Sequence, residues 1–190
     1  TDEKSFYETC DQLLKGEEVK LPTYNFVKGI KEFSDTPFKL GPNQMIVIEG
    51  LHAINPEILK RLDTKVVYKV YISPLTPLAV DRHNYISTTD NRLLRRIIRD
   101  FRTRGRSAEQ SIASWQSVRD GEEKYICPYT DTVDGIVNTS YVYEIGVLKV
   151  FVEPLLYSVQ TDSPAYNEAR RLISNLKLFF PIPSDYVNDD

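Results

Sequence analysis

The segment that most limits how this chain folds is residues 91–106, NRLLRRIIRDFRTRGR. Its apolar residues recur with helical spacing and share one stripe: Leu93, Leu94, Ile97, Ile98 and Phe101. Arginines occupy the opposite face, at positions 92, 95, 96, 99 and 102. We therefore predict a helix that packs on one side and presents guanidinium groups on the other.

The positive charge of the chain is concentrated in this segment. Residues 90–106 contain seven arginines against Asp90 and Asp100, a net charge of +5, whereas the whole chain carries −3. Few acidic residues stand at the i+4 spacing that pairs with arginine on a helix. The concentration favours a small polyanion over a nucleic acid, because nucleic-acid binding depends on many dispersed cationic contacts. A solvated charged face is the alternative interpretation.

The residues after the arginine stripe predict a hinged flap. Gly105 is typical of a helix end, and Ser107 with Gln110 three residues later forms a capping-box pattern that starts a new helix. Arginines on a movable flap suit phosphoryl transfer, because their planar forks neutralise charge on the transferring group and closure excludes water.

The remaining pattern indicates an α/β fold with a mostly parallel sheet. Apolar runs at 44–50, 65–73 and 134–140 predict three strands. Helices are predicted at 3–15, after Asn55 and Pro56, and at 141–159 and 164–178, the last with Ser163 as its N-cap; LPTYNF (21–26) is predicted to be an extended loop.

The composition of the chain indicates the cellular environment in which we expect it. No apolar run approaches the roughly 18 residues of a membrane span. The two cysteines, Cys10 and Cys127, are far apart and lack the spacing of a zinc site or a disulfide framework. We therefore expect a cytoplasmic protein that does not bind membranes.

Glu49 is a candidate metal ligand because it ends the apolar run MIVIE. Ligands of open α/β sheets bind beyond the carboxyl ends of the strands, and an acid there typically holds Mg²⁺, often through water. An ordinary loop acid is the alternative. A phosphate-binding kinase should also carry G-x-x-x-x-G-K-[ST], but none of the eight glycines precedes a lysine, so this motif is absent from these 190 residues.

Four segments in this order carry a family resemblance: LPTYNF, VIEGLHA, RRIIRDFRTRGRSAEQ and SVRDGEEKYICPY. The chain resembles the uridine kinase and phosphoribulokinase family, downstream of its P-loop and as far as Pro183. The last segment resembles in particular a bacterial branch with an extra N-terminal TGS-like domain, similar to one found in threonyl-tRNA synthetases.

The resemblance implies a fold and a domain organisation. The fold is a three-layer, P-loop kinase-type parallel sheet flanked by helices, incomplete at the N-terminus, with a helical arginine lid at about 90–128. Residues 1–183 would be the C-terminal part of one nucleoside kinase domain, and 184–190 a tail or linker. A sheet that lacks its P-loop strand is expected to expose edges and apolar faces.

The resemblance also implies phosphorylation of a nucleoside 5′-hydroxyl with ATP and Mg²⁺. Tyr24 would contact the nucleoside base and Arg96 would lie near the nucleoside. Glu49 would help to position Mg²⁺, and Arg99, Arg104 and Arg106 would surround the phosphates when the lid closes. The catalytic aspartate of the family has no counterpart here, so we expect this chain to be inactive alone.

Several positions depart from the family pattern. Asn25 replaces an aspartate, Gly29 stands where uridine kinases place a base-reading histidine, and Ser114 stands where they have a ribose-side glutamine. The acceptor nucleoside is therefore left open. His52 and His83 do not fill the gap by position and are expected to be surface or packing residues.

Two alternatives stay open at the level of sequence. One is a non-catalytic regulatory module that uses the arginine helix to bind a phosphate, a nucleotide or RNA. The other is an arginine helix that only packs, within a homo-oligomer, without any effect of anions on stability. The expected partners under the kinase hypothesis are a nucleoside and a nucleoside triphosphate, with no membrane and no nucleic acid.

Overall fold

The computed structural model describes residues 3–25, 28–50, 53–60, 62, 64–76, 78–79, 82 and 85–187. His52 and His83 lie outside the described residues. The helices are α1 (Glu3–Leu14), α2 (Pro56–Leu59), α3 (Thr88–Arg104), α4 (Ala108–Ala113), α5 (Trp115–Tyr125), α6 (Glu144–Tyr157) and α7 (Tyr166–Leu176). The strands are β1 (Glu18–Val19), β2 (Pro22–Asn25), β3 (Ile30–Phe33), β4 (Phe38–Lys39), β5 (Val70–Ser73) and β6 (Gly135–Asn138). Short 3₁₀ turns cover Thr64–Val66, Cys127–Thr132 and Ser184–Tyr186.

The main core lies among α3, α4, α6 and α7. Leu93 and Ile97 of α3 are fully buried, as the helical stripe predicted. They pack in one cluster with residues of the other three helices, among them Ile112, Val152 and Leu172. Phe101, predicted to continue the stripe, is 54% exposed instead. The buried residue of that turn is Asp100, because arginine side chains surround its carboxylate.

The predicted signals at the ends of α3 and α4 are confirmed. Gly105 adopts a left-handed conformation with φ of 62°, which ends α3 and turns the chain toward α4. Ser107 accepts a hydrogen bond from the backbone of Gln110, whose side chain accepts one from the backbone of Ser107. The hinge between the two helices is thus built from local hydrogen bonds.

The prediction for the start of α7 is wrong in detail. Ser163 was expected to cap a helix beginning at residue 164; its hydroxyl does accept the backbone N–H of Ala165 at 3.1 Å, but α7 begins only at Tyr166. Residues 163–166 form a turn instead, in which the backbone N–H of Tyr166 donates to the carbonyl of Ser163. The Ser163 hydroxyl donates to Glu109 of α4, so its side chain connects the two helices.

The parallel sheet is smaller than predicted. β5 and β6 pair in parallel from Val70 with Gly135 to Ser73 with Asn138, which confirms the run 134–140 and the second half of 65–73. The strand predicted at 44–50 is wrong: residues 44–49 have no regular secondary structure, and Met45 and Val47 are more than 80% exposed. A strand forms only where another backbone pairs with it, and the described part of the chain supplies none here.

Residues 18–39 form two antiparallel pairs, β1 with β4 and β2 with β3. LPTYNF was predicted to be a loop, which is wrong because residues 22–25 form β2. The chain reverses through Gly29, whose φ of 70° favours glycine and whose N–H donates to the carbonyl of Asn25.

An open cavity of about 870 Å³ lies between α1, residues 44–50, α2 and residues 66–70. Most of its lining is apolar, including Phe6, Ile46 and Val70. The predicted exposure of apolar surface is therefore confirmed on this side of the sheet. Among the described residues, no helix has both the length and the apolar character needed to cross a bilayer.

Candidate phosphate-binding site

A buried carboxylate organises the arginines of α3. Asp100 is completely buried, and its Oδ1 accepts hydrogen bonds from Arg99 and from Arg104 Nη1 at 3.1 Å. The Nε of Arg96 lies 3.3 Å from Oδ2. The carbonyl of Asp100 also accepts the backbone N–H of Arg106 at 3.1 Å. We call Arg96, Arg99, Arg104 and Arg106, gathered around Asp100, the arginine cluster.

The arginine cluster carries more positive charge than its acid compensates. The carboxylate faces three guanidinium groups, and the charge of Arg106 lies close enough to act on Arg96, so the four arginines and Asp100 together carry a net charge of +3. Arg96 Nε and Asp100 Oδ2, although close, are not aligned as a hydrogen bond, and both are buried without a hydrogen-bond partner among the described residues. Such a site favours an anion that neutralises the excess charge and accepts the remaining donors.

The pKa of Arg96 is also affected by the concentration of positive charge around it. Burial lowers the pKa of the Arg96 guanidinium, Asp100 opposes this, and the charges of Arg99, Arg104 and Arg106 lower the pKa further. A bound anion would offset both the desolvation and the repulsion. The electrostatics therefore agree with the geometry in favouring a negatively charged ligand.

The other arginines of α3 have partners from distant parts of the chain. Arg92 forms a two-bond ion pair with Glu122 of α5, which raises the pKa of the Arg92 guanidinium. Arg95 pairs with Glu144 at the start of α6. The Arg102 guanidinium lies 4.4 Å from the centroid of the Phe151 ring. The scarcity of acidic residues at i+4 spacing therefore does not leave Arg92 and Arg95 without acidic partners.

The sequence did not indicate these two ion pairs, for a physical reason. Spacing along one helix reports only i,i+4 pairs, whereas Glu122 and Glu144 are 30 and 49 residues away from their arginines. Asp100 lies next to Arg99 and four residues from both Arg96 and Arg104, so its position was visible in the sequence. The burial of Asp100 was not visible in the sequence, because it depends on how α4 returns after Gly105.

Within the segment predicted to be a lid, α5 is bonded to α3. Arg119 of α5 hydrogen bonds to Thr89 of α3 and to Glu123, while Arg92 holds Glu122. The Nη2 of Arg96 lies 3.5 Å from the hydroxyl of Ser114, at the junction of α4 and α5. The structure therefore brings Arg96, Arg99, Arg104 and Ser114 together, with the backbone of Arg106 beside them.

Two predicted site residues lie on other elements. Tyr24 is on β2 and is 55% exposed, with its hydroxyl 3.9 Å from the point where a Gly29 side chain would start. Glu49 is exposed and lines the open cavity. Glu49 forms no ion pair with any described residue, and the partners of Arg96 and Arg99 given above come from α3 and Ser114. The structure does not place Glu49 within the arginine cluster.

The residues present are compatible with Mg²⁺ but do not form a complete cage for it. No group of three or more potential metal ligands occurs among the residues that the structure describes. Mg²⁺ bound near phosphates commonly takes one or two carboxylates and completes its shell with water and phosphate oxygens. A single accessible carboxylate such as Glu49 fits that donor set.

Comparison with known proteins places this geometry in a family. Residues 1–145 match the phosphoribulokinase / uridine kinase family. The chain is 28% identical over 162 residues to a uridine kinase of Bacillus pumilus, and 27% identical over 163 residues to uridine kinases of Staphylococcus aureus strains JH9 and Newman.

These matches cover 84% of this chain and 66–67% of the length of each relative, so the chain spans about two thirds of the curated relatives it matches. The family match extends over well more than half of the chain and includes the complete arginine cluster. The chain belongs to the phosphoribulokinase and uridine kinase family.

Proposed function

We propose that this chain is the C-terminal part of a nucleoside kinase domain that transfers the γ-phosphoryl group of ATP to a nucleoside 5′-hydroxyl. The observation that carries the proposal is the arginine cluster: three guanidinium groups around one buried carboxylate, with Arg106 beside them, in a chain similar to proteins named uridine kinase. The 5′-oxygen attacks the γ-phosphorus, the bond to the β-phosphate oxygen breaks, and ADP leaves.

The arginine cluster would stabilise the charge of the transferring group. Arg99 is half exposed and Arg104 partly buried, so both present donors to an incoming anion while Asp100 fixes their position. Planar guanidinium groups bind phosphate oxygens with two hydrogen bonds, and in phosphoryl transfer this positioning and neutralisation supplies most of the catalysis. Arg106, beyond the hinge at Gly105, would complete the contact from the lid side.

Glu49 is proposed to help hold Mg²⁺ together with water and phosphate oxygens. The ion would supply charge neutralisation between the β- and γ-phosphates. Glu49 is accessible on the cavity side of the sheet, which leaves it free to take that position. The proton released by the 5′-hydroxyl needs a base that the resemblance places outside these 190 residues, so we propose that the chain alone does not turn over ATP.

The acceptor side is proposed to include Tyr24 and Arg96. Tyr24 presents an exposed ring on β2, and the left-handed backbone of Gly29 explains why the usual histidine is absent: a side chain there would be strained. Recognition of the base therefore differs from that in uridine kinases with a histidine at this position. We propose a nucleoside acceptor without assigning its base.

The test compares two proteins with and without ligands. Thermal melting and ATP turnover are measured for this chain and for a longer natural protein that includes the sequence upstream of Thr1, with ATP, Mg²⁺ and a panel of nucleosides. We expect turnover only from the longer protein, and we expect its upstream sequence to carry G-x-x-x-x-G-K-[ST] and the extra domain of the bacterial branch. Nucleoside-dependent turnover by the 190-residue chain would contradict the proposed inactivity.

A matched pair of arginine variants links the activity to the cluster. In the longer protein, Arg104→Ala is expected to lower kcat by about 10³-fold, the size of effect seen for arginines that stabilise phosphoryl transfer. Arg170→Ala changes an exposed arginine of α7 outside the cluster and is expected to leave kcat unchanged. Equal kcat values for the two variants would show that the arginine cluster does not contribute to catalysis.

A second candidate is a regulatory module that binds phosphate without catalysis. It is favoured by one observation: the arginine cluster and the bonds between α5 and α3 form within these 190 residues, which lack a Walker A motif. Under this hypothesis, inorganic pyrophosphate stabilises the short chain and the upstream sequence adds no turnover. We propose a cytoplasmic location for either function, in keeping with the two unpaired cysteines.

A further inference from the structure

The loop after β6 carries an exposed aromatic pair. The rings of Tyr141 and Tyr143 stack with centroids 5.5 Å apart and an interplanar angle of 27°. Their side chains remain 60% and 45% exposed, so the stack is not part of the core. The loop follows the carboxyl end of a parallel strand, which is the edge of an α/β sheet where ligands bind.

The loop that holds these rings is fixed at its base. The side chain of Asn138 accepts the backbone N–H of Leu75 at 2.9 Å and that of Ser140 at 3.0 Å, and it donates to the carbonyl of Leu75 at 3.1 Å. The Ser140 hydroxyl donates to the same carbonyl at 3.2 Å. These four bonds tie together the ends of β5 and β6, so the tyrosines stand on a pre-organised support.

The same loop is attached to the arginine helix. Arg95 Nη2 donates to the carbonyl of Thr139 at 2.8 Å, and its Nε pairs with Glu144, the first residue of α6. Arg99 of the arginine cluster follows Arg95 by four residues, about 6 Å along the helix axis. Arg95 therefore links the loop that carries the tyrosine pair to the helix that carries the cluster, one turn before Arg99.

We propose that Tyr141 and Tyr143 form a stacking platform for the base of a nucleotide whose phosphates bind the arginine cluster. The inference rests on the proposed phosphate-binding role of that cluster and extends it to the base. Aromatic side chains stack on any nucleobase, because every base offers a π-face. An exposed ring pair on a loop that is bonded to the arginine helix would provide the contact for the base, and the cluster on the same helix would provide the contact for the phosphates.

The test uses ADP and inorganic pyrophosphate as probes of the full 190-residue chain. Ring ¹³C-labelled tyrosine is followed by NMR during titration to millimolar concentrations, and Tyr141→Phe and Tyr143→Phe assign the two ring signals. We expect ADP to move both signals by a ring-current shift and pyrophosphate to leave them in place. Nε–H signals of the arginines report on phosphate binding in the same titrations.

Affinities of variants give the second readout. The double variant Tyr141→Ala/Tyr143→Ala is expected to bind ADP about tenfold more weakly, in line with the stacking contribution of one base. Its affinity for pyrophosphate should be unchanged. The two phenylalanine variants, which keep the rings and lose only the hydroxyls, should bind ADP as the parent chain does.

The outcomes separate this inference from the function on which it rests. If pyrophosphate shifts the arginine signals but ADP moves no tyrosine ring, or if the alanine variant keeps full ADP affinity, the platform is wrong and the phosphate site stands. If neither probe binds, both are wrong. Should the alanine variant fail to fold, the ring shifts of the parent chain and the phenylalanine variants still decide the question.

Discussion

The helical region, residues 87–176, and the N-terminal region, residues 3–73, bury their apolar residues very differently. Helices α3, α4, α6 and α7 enclose one core in which Leu93, Ile97 and Val152 are fully buried. In the N-terminal region, Met45, Val47 and Val66 are more than 70% exposed and an open cavity separates α1 from β5. The arginine cluster lies in the well-packed helical region, whereas much of the apolar surface of the N-terminal region lies open.

The two regions differ because helices form their backbone hydrogen bonds locally, whereas strands form them with distant parts of the chain. A helix satisfies its backbone hydrogen bonds within itself and needs only one packed face, which α3 obtains from α6 and α7. A strand needs a neighbouring backbone, and the two-stranded β5–β6 sheet leaves one edge of β5 without a strand beside it among the described residues. We expect the helical region to resist unfolding after the N-terminal region has opened.

The largest effect should come from a matched pair of leucines, one in each region. Leu172→Ala removes a side chain that is 1% exposed in α7 and is expected to cost about 2–5 kcal/mol of unfolding free energy. Leu14→Ala changes a leucine that is 59% exposed in α1 and should cost less than about 0.5 kcal/mol. Urea unfolding followed by circular dichroism measures both. Similar losses would show that the regions do not differ in packing.

A smaller effect is expected at the carboxylate of the arginine cluster. Asp100→Asn leaves Arg96, Arg99 and Arg104 without their buried counter-charge, and we expect a loss of about 2 kcal/mol, since the partly exposed arginines recover some hydration. The control is Asp11→Asn on α1, an exposed position that should change stability by less than about 0.5 kcal/mol. An Asp100→Asn variant as stable as the parent would mean that the carboxylate does not hold the cluster together.

The sequence predicts the two regions with unequal success for the same physical reason. The stripe of α3, the turn at Gly105 and the capping box at Ser107 depend on residues close to one another in sequence, and the structure confirms all three except for Phe101 at the end of the stripe. The strand at 44–50 failed because its apolar run also needs a neighbouring backbone. β2 was missed because the pairing that makes it a strand comes from residues 30–33.

The candidate site divides in the same way. Arg96, Arg99 and Arg104 lie within about two turns of one helix, so their grouping follows from sequence. Ion pairs such as Arg92 with Glu122 depend on the docking of α5 and have no local signal. The stacked pair Tyr141 and Tyr143 stands two residues apart, but the loop that carries it is held by bonds between Asn138 of β6 and Leu75, which follows β5.

The turn between α3 and α4 offers a test within the helical region. Ser107→Ala removes the hydroxyl that caps α4 and one half of the capping box, which is expected to cost about 1 kcal/mol. Ser117→Ala, at an exposed position inside α5, is the matched control and should be neutral within about 0.5 kcal/mol. Hydrogen exchange of the α4 amides should rise in the first variant alone. Equal hydrogen exchange of the α4 amides in both variants would show that the cap does not stabilise α4.

The smallest effect should appear at the two thiols, one in each region. Cys10 of α1 is buried and Cys127 is exposed, so a thiol reagent should modify Cys127 rapidly and Cys10 only after the N-terminal region opens. Labelling of Cys10 at urea concentrations that leave the helical circular dichroism intact would confirm that this region opens first. Labelling of Cys10 only together with loss of the helices would mean that the two regions unfold as one.

The titration of Cys10 gives this comparison a pH dependence with a defined sign. Burial raises the pKa of the Cys10 thiol, and the neighbouring charge of Asp11 raises it further. The folded chain therefore keeps a proton that the unfolded chain releases above its ordinary pKa of about 8.5. The contribution of Cys10 to the free energy of unfolding is therefore complete below the pKa of the unfolded chain. It is lost as the pH rises through the pKa of Cys10 in the folded chain. Cys10→Ala should abolish this part of the alkaline loss, whereas Cys127→Ala should leave it unchanged, and urea midpoints between pH 7 and pH 10 compare the two variants.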